Sequence, residues 1–447
     1  MKTAKANNEL LMESLSRAHF QYFVDYQNKS TGLILDRTRP GAPATIAGVG
    51  FALPAYAAAS ERNWISRQEA LDYTLKVLRL LHDSPQGEAA QGVSGYRGFF
   101  YHFLDPNTGL RATAPQFWHS ELSSIDTALL MAGVRFAAAY YRGRRAEERE
   151  IRRLAEALYE RVEWNWLLRE NGEIGHGWTP ENGLIKSVYS GYSEALLLYI
   201  LALGSKRYAV PAQSWQALCS RYITADKPKK HISMPGMPLF CYQYPHCFID
   251  FRGIKDETNR QLGFDYFENS KRAVLAHHAY AVENKKGFVG YGPLQWGLTA
   301  CDGPGPVPNS DSKKESHEFR HYSERGITGF DDGTIAPTAA LASLPFKPAL
   351  VLRTARHWLN KPGLYSLHGF ADAFNASYGI ASGQEKNQPW IADDRLAIDQ
   401  GPVVLMFENH RSDFVWRHTR RDPVLRKALT KAGFKGGWLK HQTWYKQ

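Results

Sequence analysis

The sequence predicts an all-α protein in which helical hairpins close into a toroid with long cleft-lining loops. About twelve segments carry the apolar spacing that is typical of one buried helix face, whereas strand signals are scarce. Long loops rich in glycine, proline and aromatic residues alternate with pairs of these segments. Twelve helices in six hairpins would form an inner and an outer ring, and one end of the inner ring would collect the loops around a central cleft. No flexible linker or low-complexity tract divides the chain, so residues 1–447 are expected to form a single domain.

The helical pattern is clear in the first segment, residues 10–26, where Leu11, Leu15, Tyr22 and Phe23 share one face. The same pattern predicts helices over residues 50–60, 66–82, 121–141, 146–164, 192–203, 212–223, 270–283, 334–342, 347–359, 399–407 and 422–432. Short stretches at 32–36 and 99–103 are expected to form hairpins or turns. Loops longer than ~15 residues inside a compact domain are usually functional. The long loops cover residues 87–118, 171–191, 227–248, 287–333 and 366–396.

The amino-acid composition favours some classes of protein and argues against others. With 43% apolar and 22% charged residues, the 447-residue chain has an ordinary globular composition. The 12 Trp and 23 Tyr exceed what packing usually needs, and amphipathic rings stack on sugar faces or line wet clefts. The longest apolar run, residues 195–203, is far below the ~20 residues needed to cross a bilayer. Membrane insertion is therefore not expected.

A net charge of +11 would suit a protein that binds nucleic acid, so the distribution of the charge along the chain matters. Residues 411–447 hold ten Lys and Arg against Asp413 and Asp422, which makes +8 of the total. Such a local excess is more typical of a solvated helix face than of a nucleic-acid arm, so no nucleic-acid partner is expected. The N-terminus lacks the apolar core of a secretory signal. We therefore expect a periplasmic or secreted protein whose leader is absent from this chain, or alternatively a cytoplasmic one.

Metal or cofactor chemistry has weak support. Four cysteines show no zinc-site spacing and are expected to be buried free thiols. His277 and His278 are adjacent on a predicted helix and point in different directions, and Asp331 and Asp332 are the remaining candidate ligands. Motifs for a serine-hydrolase elbow, a zinc peptidase and a phosphate-binding loop do not occur. No metal and no cofactor are predicted.

Carboxylates recur where an aromatic-rich loop meets an apolar helix. They are Glu121, Asp126, Glu194, Asp250 and Asp399. A carboxylate there can simply stabilise the helix dipole, by ~0.3–1 kcal/mol. Glycosidic cleavage also needs two carboxyl groups across a cleft, one protonated and one ionised. The apolar run after Glu194 would raise its pKa, which suits an acid catalyst.

Longer motifs make the sequence similar to the bacterial glycoamylase-like proteins, also labelled putative glucoamylases, which include the endo-β-1,2-glucanases of glycoside hydrolase family 144. The resemblance implies an (α/α)6 barrel acting on a glucan. It places Glu194 where the general acid is expected and Asp399 where a general base would act with inversion. It also places Glu121 where a related transglycosylase domain pairs it with the acid for a retaining reaction. The matching strings are residues 98–105, 120–130, 191–196, 249–254, 265–270, 296–304, 331–340 and 398–402.

The expected function is hydrolysis of a β-1,2-glucan, linear or cyclic, by endo cleavage or by release of sophorose. A retaining transglycosylase and a non-catalytic glucan-binding protein remain alternatives, and the oligomeric state is open. The chain departs from the family pattern at His119, at residues 185–190 and in a charged insertion at 307–320. The candidate substrate-binding residues, several of which could equally be core or capping residues, are Asp126, Asp250, Arg252, Trp118, His119, Tyr192, Trp296, Asp302, Asp331 and Trp390.

Overall fold

The structure is a computed structural model that describes residues 2–113, 120–307, 318–382 and 388–440, with side chains from residue 5 onward. Helices dominate these described residues, and each of the twelve predicted segments contains one. The helices are α1 (Lys2–Asp25), α2 (Ile46–Glu61), α3 (Arg67–Asp83), α4 (Ser124–Tyr140), α5 (Ala146–Glu160), α6 (Leu196–Gly204), α7 (Gln213–Cys219), α8 (Tyr244–Phe248), α9 (Glu257–Leu262), α10 (Tyr266–Glu283), α11 (Pro337–Leu341), α12 (Pro348–Leu359), α13 (Ala376–Ala381), α14 (Ala397–Ser412), α15 (Phe414–Thr419) and α16 (Pro423–Lys431).

Two concentric rings of helices form an (α/α)6 barrel. In the inner ring α2, α4, α6, α8, α11 and α14 follow one another, and α14 packs back against α2 to close the circle. The 3-10 turn Leu239–Tyr242 links α8 to α11. Outside this ring α1 covers α14 and α2, α3 and α5 cover α2 and α4, α7 and α16 cover α6, and α12 covers α11. Helix α10 lies against the 3-10 turn.

The two rings differ in how their helices are buried. Every residue of α6 is buried, and α2 is buried over its first fourteen residues, as expected for helices surrounded on all sides. The outer helix α5 is amphipathic: Ile151, Leu154 and Leu158 face the core, while its arginines and most of its glutamates face solvent. The described helices include none that is both long enough and apolar enough to span a bilayer.

Strands are short and brace the loops. All of the named pairs are antiparallel, and the three-stranded sheet β5–β7–β8 places Leu122 opposite Trp178. The other pairs are β1–β4, β2–β3, β6–β9, β10–β11, β12–β17, β13–β14 and β15–β16. The strands are β1 (Ala44–Thr45), β2 (Gly95–Tyr96), β3 (Phe99–Phe100), β4 (Phe103–Leu104), β5 (Leu122–Ser123), β6 (Ile174–Gly175), β7 (Gly177–Thr179), β8 (Gly183–Leu184), β9 (Val188–Tyr189), β10 (Ile223–Ala225), β11 (His231–Ser233), β12 (Ile254–Lys255), β13 (Tyr365–Ser366), β14 (Gly369–Phe370), β15 (Phe374–Asn375), β16 (Trp390–Ile391) and β17 (Lys435–Gly436).

The inner helices all begin at the same end of the barrel. The Tyr244 hydroxyl at the start of α8 donates to the Ile398 carbonyl at the start of α14, over 2.9 Å. The opposite end is formed by helix C-termini, where Arg62 after α2 pairs with Glu408 in the last turns of α14. A carboxylate that precedes an inner helix, or lies in its first turn, therefore faces one shared cleft.

Candidate active site

Glu194 lies immediately before α6, at the cleft end of the barrel. Its Oε2 atom accepts a hydrogen bond from the Cys241 thiol at 3.0 Å. Burial raises the pKa of Glu194, and the nearby carboxylates of Glu324 and Asp126 raise it further. The environment therefore holds Glu194 protonated to a higher pH than an ordinary glutamic acid.

On this side of the cleft, His102 lies between Glu121 and Asp126, two further carboxylates at a loop–helix junction. The His102 Nδ1 atom lies 3.1 Å from Glu121 Oε1, and its Nε2 atom lies 3.6 Å from Asp126 Oδ1. Burial opposes charge on His102, but Asp126 and Glu121 outweigh it and raise its pKa to about 9. Burial works to raise the pKa of Glu121, yet the hydrogen bond from His102 brings it below its ordinary value. Glu121 is thus ionised at neutral pH beside an imidazolium.

The same three residues, His102, Glu121 and Asp126, are the one group of potential metal ligands found among the described residues. Each ring nitrogen of His102 faces a different carboxylate, so one ion between all three would have to displace an existing contact. The imidazolium already supplies the positive charge that two carboxylates need. The arrangement accordingly favours a proton rather than a metal at this position.

Asp399 is a further carboxyl group in the cleft, in the first turn of α14. Burial raises its pKa well above the ordinary value, and the neighbouring carboxyl of Asp372 raises it further. Burial likewise raises the pKa of Asp372 to about 7, with a further contribution from the Asp302 carboxylate. Asp372 Oδ1 is buried and has no N–H or hydroxyl donor among the described residues. The Asp372 and Asp399 side chains are hydrogen-bonded to each other, and two carboxyl groups can share a hydrogen bond only when one carries a proton, so the two form a carboxyl pair.

An arginine ties the pair to further carboxylates. Asp372 Oδ2 accepts from the backbone N–H of Asp302 at 2.6 Å. The Arg37 guanidinium contacts Asp302 at 3.2 Å, Asp394 at 3.4 Å and its own neighbour Asp36 at 3.1 Å. Asp302 therefore lies beside the Asp372–Asp399 pair.

Three tyrosines, Tyr244, Tyr322 and Tyr189, lie near the carboxyl groups of the cleft. Burial raises the pKa of Tyr244 well above its ordinary value, and the carboxyl groups of Asp399 and Glu194, both near this tyrosine, raise it further. Tyr322 is 49% exposed, while burial of its hydroxyl and the nearby Asp399 and Asp372 carboxyl groups raise its pKa well above the ordinary value, so the residue lies at the edge of the cleft beside those groups. On the other side Tyr189, stacked on a histidine ring 4.1 Å away, interacts with Glu194, Asp126 and Glu121.

A small cavity beside Asp399 has room for about one water molecule. Its polar lining includes Tyr244, Gln243, Thr299 and Thr338. The Thr338 hydroxyl is buried and has no hydrogen-bond partner in the described part of the chain. The cavity thus offers polar contacts next to the Asp399 carboxyl.

Some predicted site residues belong to the core. Trp296 is fully buried and donates from Nε1 to Thr354 Oγ1 at 3.0 Å, so it cannot act as a sugar platform in this structure. Tyr192 is 2% exposed within a cluster of tyrosines and is also unavailable. Asp331 is buried and accepts from the hydroxyls of Tyr280 and Tyr291, which makes it a structural carboxylate.

Asp250 and Arg252 lie at the end of the barrel away from the cleft, because they follow the C-terminus of α8. Asp250 pairs with Arg252 at 2.8 Å and with Arg420. Arg252 also contacts Asp413, which follows α14, at 2.8 Å. The expectation that this pair lines the cleft is therefore replaced by a structural role that ties the α8 terminus to α15.

The remaining predictions concern Trp390, Trp118, His119 and the four cysteines. Trp390 is half-buried on β16, where it lies opposite Asn375. Trp118 and His119 lie outside the described residues. The cysteines are free thiols, with Cys241, Cys247 and Cys301 buried as predicted and Cys219 half-buried.

Several cleft residues were missed by the sequence reasoning. They are Arg37, His102, Cys241, Tyr244, Tyr322, Glu324 and Asp372. His102 and Asp372 lie within long loops and not at a helix start, and Tyr322 follows a charged segment that predicts a solvated loop. Only the aromatic and acidic enrichment of those loops pointed toward them.

The fold and the cleft together define a class: an (α/α)6 barrel whose cleft end holds Glu194 and Asp399, with pKa values raised by burial, and Glu121, with a pKa lowered by His102. Residues 187–423 match the model of the glycoamylase family, described as "Putative glucoamylase". This match covers more than half of the chain, and the protein belongs to that family.

One curated protein is similar to nearly the whole of this chain. A curated protein from Parabacteroides distasonis, named exo beta-1,2-glucooligosaccharide sophorohydrolase (non-reducing end), is 26% identical over 463 aligned positions. The alignment covers 96% of this chain but only 58% of the relative, so the chain spans little more than half of that protein's length.

Solved structures share the fold. A "putative glucoamylase" from Bacteroides uniformis is 28% identical with a TM-score of 0.82, over 97% of this chain and 98% of the other. An endo-beta-1,2-glucanase from Chitinophaga pinensis, solved with sophorotriose and glucose, is 25% identical with a TM-score of 0.80, over 97% and 99% of the two chains.

Proposed function

We propose that the protein is a glycoside hydrolase that cleaves β-1,2-linked glucans or their oligosaccharides, by internal cleavage or by releasing sophorose. The observation that carries the proposal is that Glu194 and Asp399, both with pKa values raised by burial, lie at the N-terminal ends of inner helices and both raise the pKa of Tyr244. The names of the relatives from Parabacteroides distasonis and Chitinophaga pinensis support the linkage.

In the proposed reaction Glu194 is the general acid. It gives its proton to the glycosidic oxygen, directly or through a hydroxyl of the substrate, as the bond between that oxygen and the anomeric carbon breaks. The raised pKa keeps the proton available at the working pH. The hydrogen bond from Cys241 fixes which oxygen faces the thiol and leaves Oε1 for the substrate.

Asp399 is the general base. It takes a proton from a water molecule whose oxygen forms the new bond to the anomeric carbon, on the face opposite the leaving group, so the anomer inverts. The small polar cavity beside Asp399 suits that water. A base works best with a pKa near the working pH, and burial together with Asp372 raises the pKa of Asp399 in that direction.

Aromatic and acidic side chains would hold the sugars. Tyr322 offers an exposed ring beside Asp399, and Trp390 is a second, half-buried candidate. Asp302 and Asp126 can accept hydrogen bonds from sugar hydroxyls. This set replaces the buried Trp296 and Tyr192.

A retaining transglycosylase is the second candidate, and one observation favours it. The hydrogen bond from His102 lowers the pKa of Glu121, which favours the ionised form that a nucleophile needs, while burial raises the pKa of Glu194. The two mechanisms give opposite anomers. Proton NMR of the first product from a β-linked glucan would show the α-anomer for inversion by Asp399 and the β-anomer for retention by Glu121.

Product analysis tests the activity itself. The protein and its Glu194→Gln variant would be incubated with linear β-1,2-glucan, cyclic β-1,2-glucan and soluble starch. We expect oligosaccharides from a β-1,2-glucan only, and a loss of about 10²–10⁴-fold in rate in the variant. Binding of glucan without any product would favour a non-catalytic binding protein, and products from starch alone would contradict the linkage.

A further inference from the structure

We propose that Cys241 is a positioning residue for Glu194, and that its thiol sets the pH range over which this residue can act. The inference rests on the proposed function, in which Glu194 is the general acid. It concerns a residue that touches Glu194 and is not itself a reacting group.

The contact between the two side chains is buried and short. Cys241 Sγ lies 3.0 Å from Glu194 Oε2, and Cys241 is 1% exposed. Burial raises the pKa of the Cys241 thiol well above its ordinary value, and the Glu194 carboxylate raises it further. The thiol therefore keeps its proton and donates to the carboxyl oxygen.

The turn that carries Cys241 is fixed on both sides of the cysteine. The Phe240 N–H donates to Thr299 Oγ1 at 3.2 Å. The Gln243 amide donates to the Ala339 carbonyl at 2.6 Å and to Ser343 Oγ at 2.9 Å, which pins the turn to α11. Because this support is rigid, the thiol cannot follow Glu194, and the hydrogen bond fixes the orientation of the carboxyl group.

The identity of the donor matters as much as its position. No basic side chain in the described residues forms an ion pair with Glu194, and the thiol is the side-chain donor that reaches it. A thiol is a weak donor and a hydroxyl is a strong one. A donor to the ionised form lowers the pKa of a carboxyl group, so a weak donor orients Glu194 while lowering its pKa less than a strong donor would.

Two variants of Cys241 are therefore expected to act in opposite directions. In Cys241→Ser the stronger donor favours the carboxylate, and the alkaline limb of the pH profile of kcat/KM moves to lower pH. In Cys241→Ala the donor is lost, and the alkaline limb moves to higher pH. Shifts of about half a unit to one unit are expected from the strength of one hydrogen bond.

Cys247→Ala is the matched control, because Cys247 is a buried cysteine on the neighbouring α8 and lies outside the catalytic groups. It should leave the alkaline limb in place. Alkaline limbs that stay unchanged in both Cys241 variants, or that move in the same direction, would overturn the proposal, because a packing role predicts a fall in kcat without opposite shifts.

A second readout is independent of activity. The S–H stretching band of Cys241, obtained as the infrared difference between the protein and Cys241→Ala, should be that of a hydrogen-bonded thiol and should shift to higher frequency in Glu194→Ala. A band that does not respond to Glu194→Ala would also overturn the proposal. If no glucan is cleaved but the S–H band shifts in Glu194→Ala, the proposed function is wrong, whereas the hydrogen bond between Cys241 and Glu194 is confirmed. If Glu194→Gln abolishes cleavage but the limbs do not move, the function stands and the role of Cys241 fails.

Discussion

At the scale of single residues, the cleft separates carboxyl groups by what surrounds them. Glu194 has a thiol and apolar neighbours, Glu121 has an imidazolium, and Asp399 has a second carboxyl group. Burial disfavours the charged form of each, and among the residues that the structure describes only His102 brings a positive charge into contact with one of them. These differences in partner, more than position on a helix, are the basis of the proposed acid and base roles.

The Asp372–Asp399 pair gives a pH prediction. In Asp372→Asn the like charge beside Asp399 is gone, so the pKa of Asp399 falls. Because the base must be ionised, the acid limb of the kcat/KM profile moves to lower pH, and the weaker base reduces kcat. A pH series on both proteins measures the shift. An acid limb that moves to higher pH would contradict the pairing.

The pair also predicts a cost in stability. A buried carboxyl whose folded pKa is raised favours folding below its unfolded pKa and loses that contribution as pH rises through the folded pKa. For Asp372 this window runs from about 4 to about 7. Asp372→Asn should therefore raise Tm at pH 8 more than at pH 4, as thermal unfolding at the two values would show. An equal effect at both values would mean that Asp372 does not titrate in this window.

Tyr322 provides a prediction on substrate binding. Removing its exposed ring in Tyr322→Ala should raise KM for β-1,2-glucan about tenfold, equivalent to about 1.4 kcal/mol, with a smaller effect on kcat. Tyr322→Phe keeps the ring and serves as the control. Steady-state kinetics on both variants decide the matter, and an unchanged KM in Tyr322→Ala would remove Tyr322 from the sugar-binding surface.

Residue roles could be predicted from the sequence only in part. Glu194 and Asp399 stand out in the sequence because they lie where apolar helices begin and within family motifs, and their acid and base roles stay predictions. Trp296 was misassigned because a tryptophan in a glycine-rich loop looks the same in sequence whether its ring is exposed or fully buried. Asp372 was missed because its significance comes from Asp399, a partner distant in the chain.

At the scale of elements, close helix contacts hold the inner ring together. Helices α2 and α4 meet at Gly50 and Gly133, where each glycine faces backbone of the other helix. A Cβ atom at Gly133 would overlap the carbonyl oxygen of Gly50. Backbone cannot rotate away as a side chain can, so these positions require glycine.

The glycine contact predicts a packing defect. Gly133→Ala should separate α2 from α4 and lower the free energy of unfolding by about 1–3 kcal/mol. Gly292→Ala is the control, because a Cβ there would meet nothing within 4 Å. Chemical denaturation of both variants measures the difference. Equal stability of Gly133→Ala and the parent protein would contradict the contact.

Residues 320–334 depend on one buried ion pair. Arg325 and Asp332 are fully buried and 2.8 Å apart, and the Arg325 guanidinium also binds the backbone carbonyls of Cys301 and Arg320. Although burial raises it, Arg325 holds the pKa of Asp332 below its ordinary value. The pair thus anchors the segment that carries Tyr322 and Glu324 into the cleft.

Breaking this pair should destabilise the protein. Arg325→Met leaves Asp332 buried without its partner, which typically costs about 3–5 kcal/mol. The double variant with Asp332→Leu removes the stranded charge and should recover part of the loss. Thermal unfolding of the two variants tests this, and a double variant less stable than Arg325→Met would argue against a stranded charge as the cause.

Helix existence was more predictable than helix length. The long outer helices have regular apolar spacing, and the predicted and observed bounds of α3 and α12 nearly coincide. Helix α8 belongs to the inner ring but has five residues, too few for any periodicity to register. Its place in the ring is set by packing, which the sequence pattern does not report.

At the scale of the whole molecule, the two ends of the barrel differ in the side chains that they bring together. The parallel inner helices bring their N-termini and long loops to one end, where the carboxyl groups gather. Helix C-termini form the other end, where Asp250, Arg252 and Asp413 make structural ion pairs. Helix polarity therefore explains why similar loop-helix motifs became catalytic candidates at one end and structural contacts at the other.

The measurement that tests the central claim most directly compares leaving groups. Rates would be measured for the protein, Glu194→Gln and Asp399→Asn on β-1,2-glucan and on an aryl β-sophoroside whose phenol needs no protonation. We predict that Glu194→Gln is severely impaired on the glucan but nearly normal on the aryl substrate, and that Asp399→Asn is impaired on both. Equal impairment of Glu194→Gln on the two substrates, or an unimpaired Asp399→Asn, would contradict the assignment of acid and base.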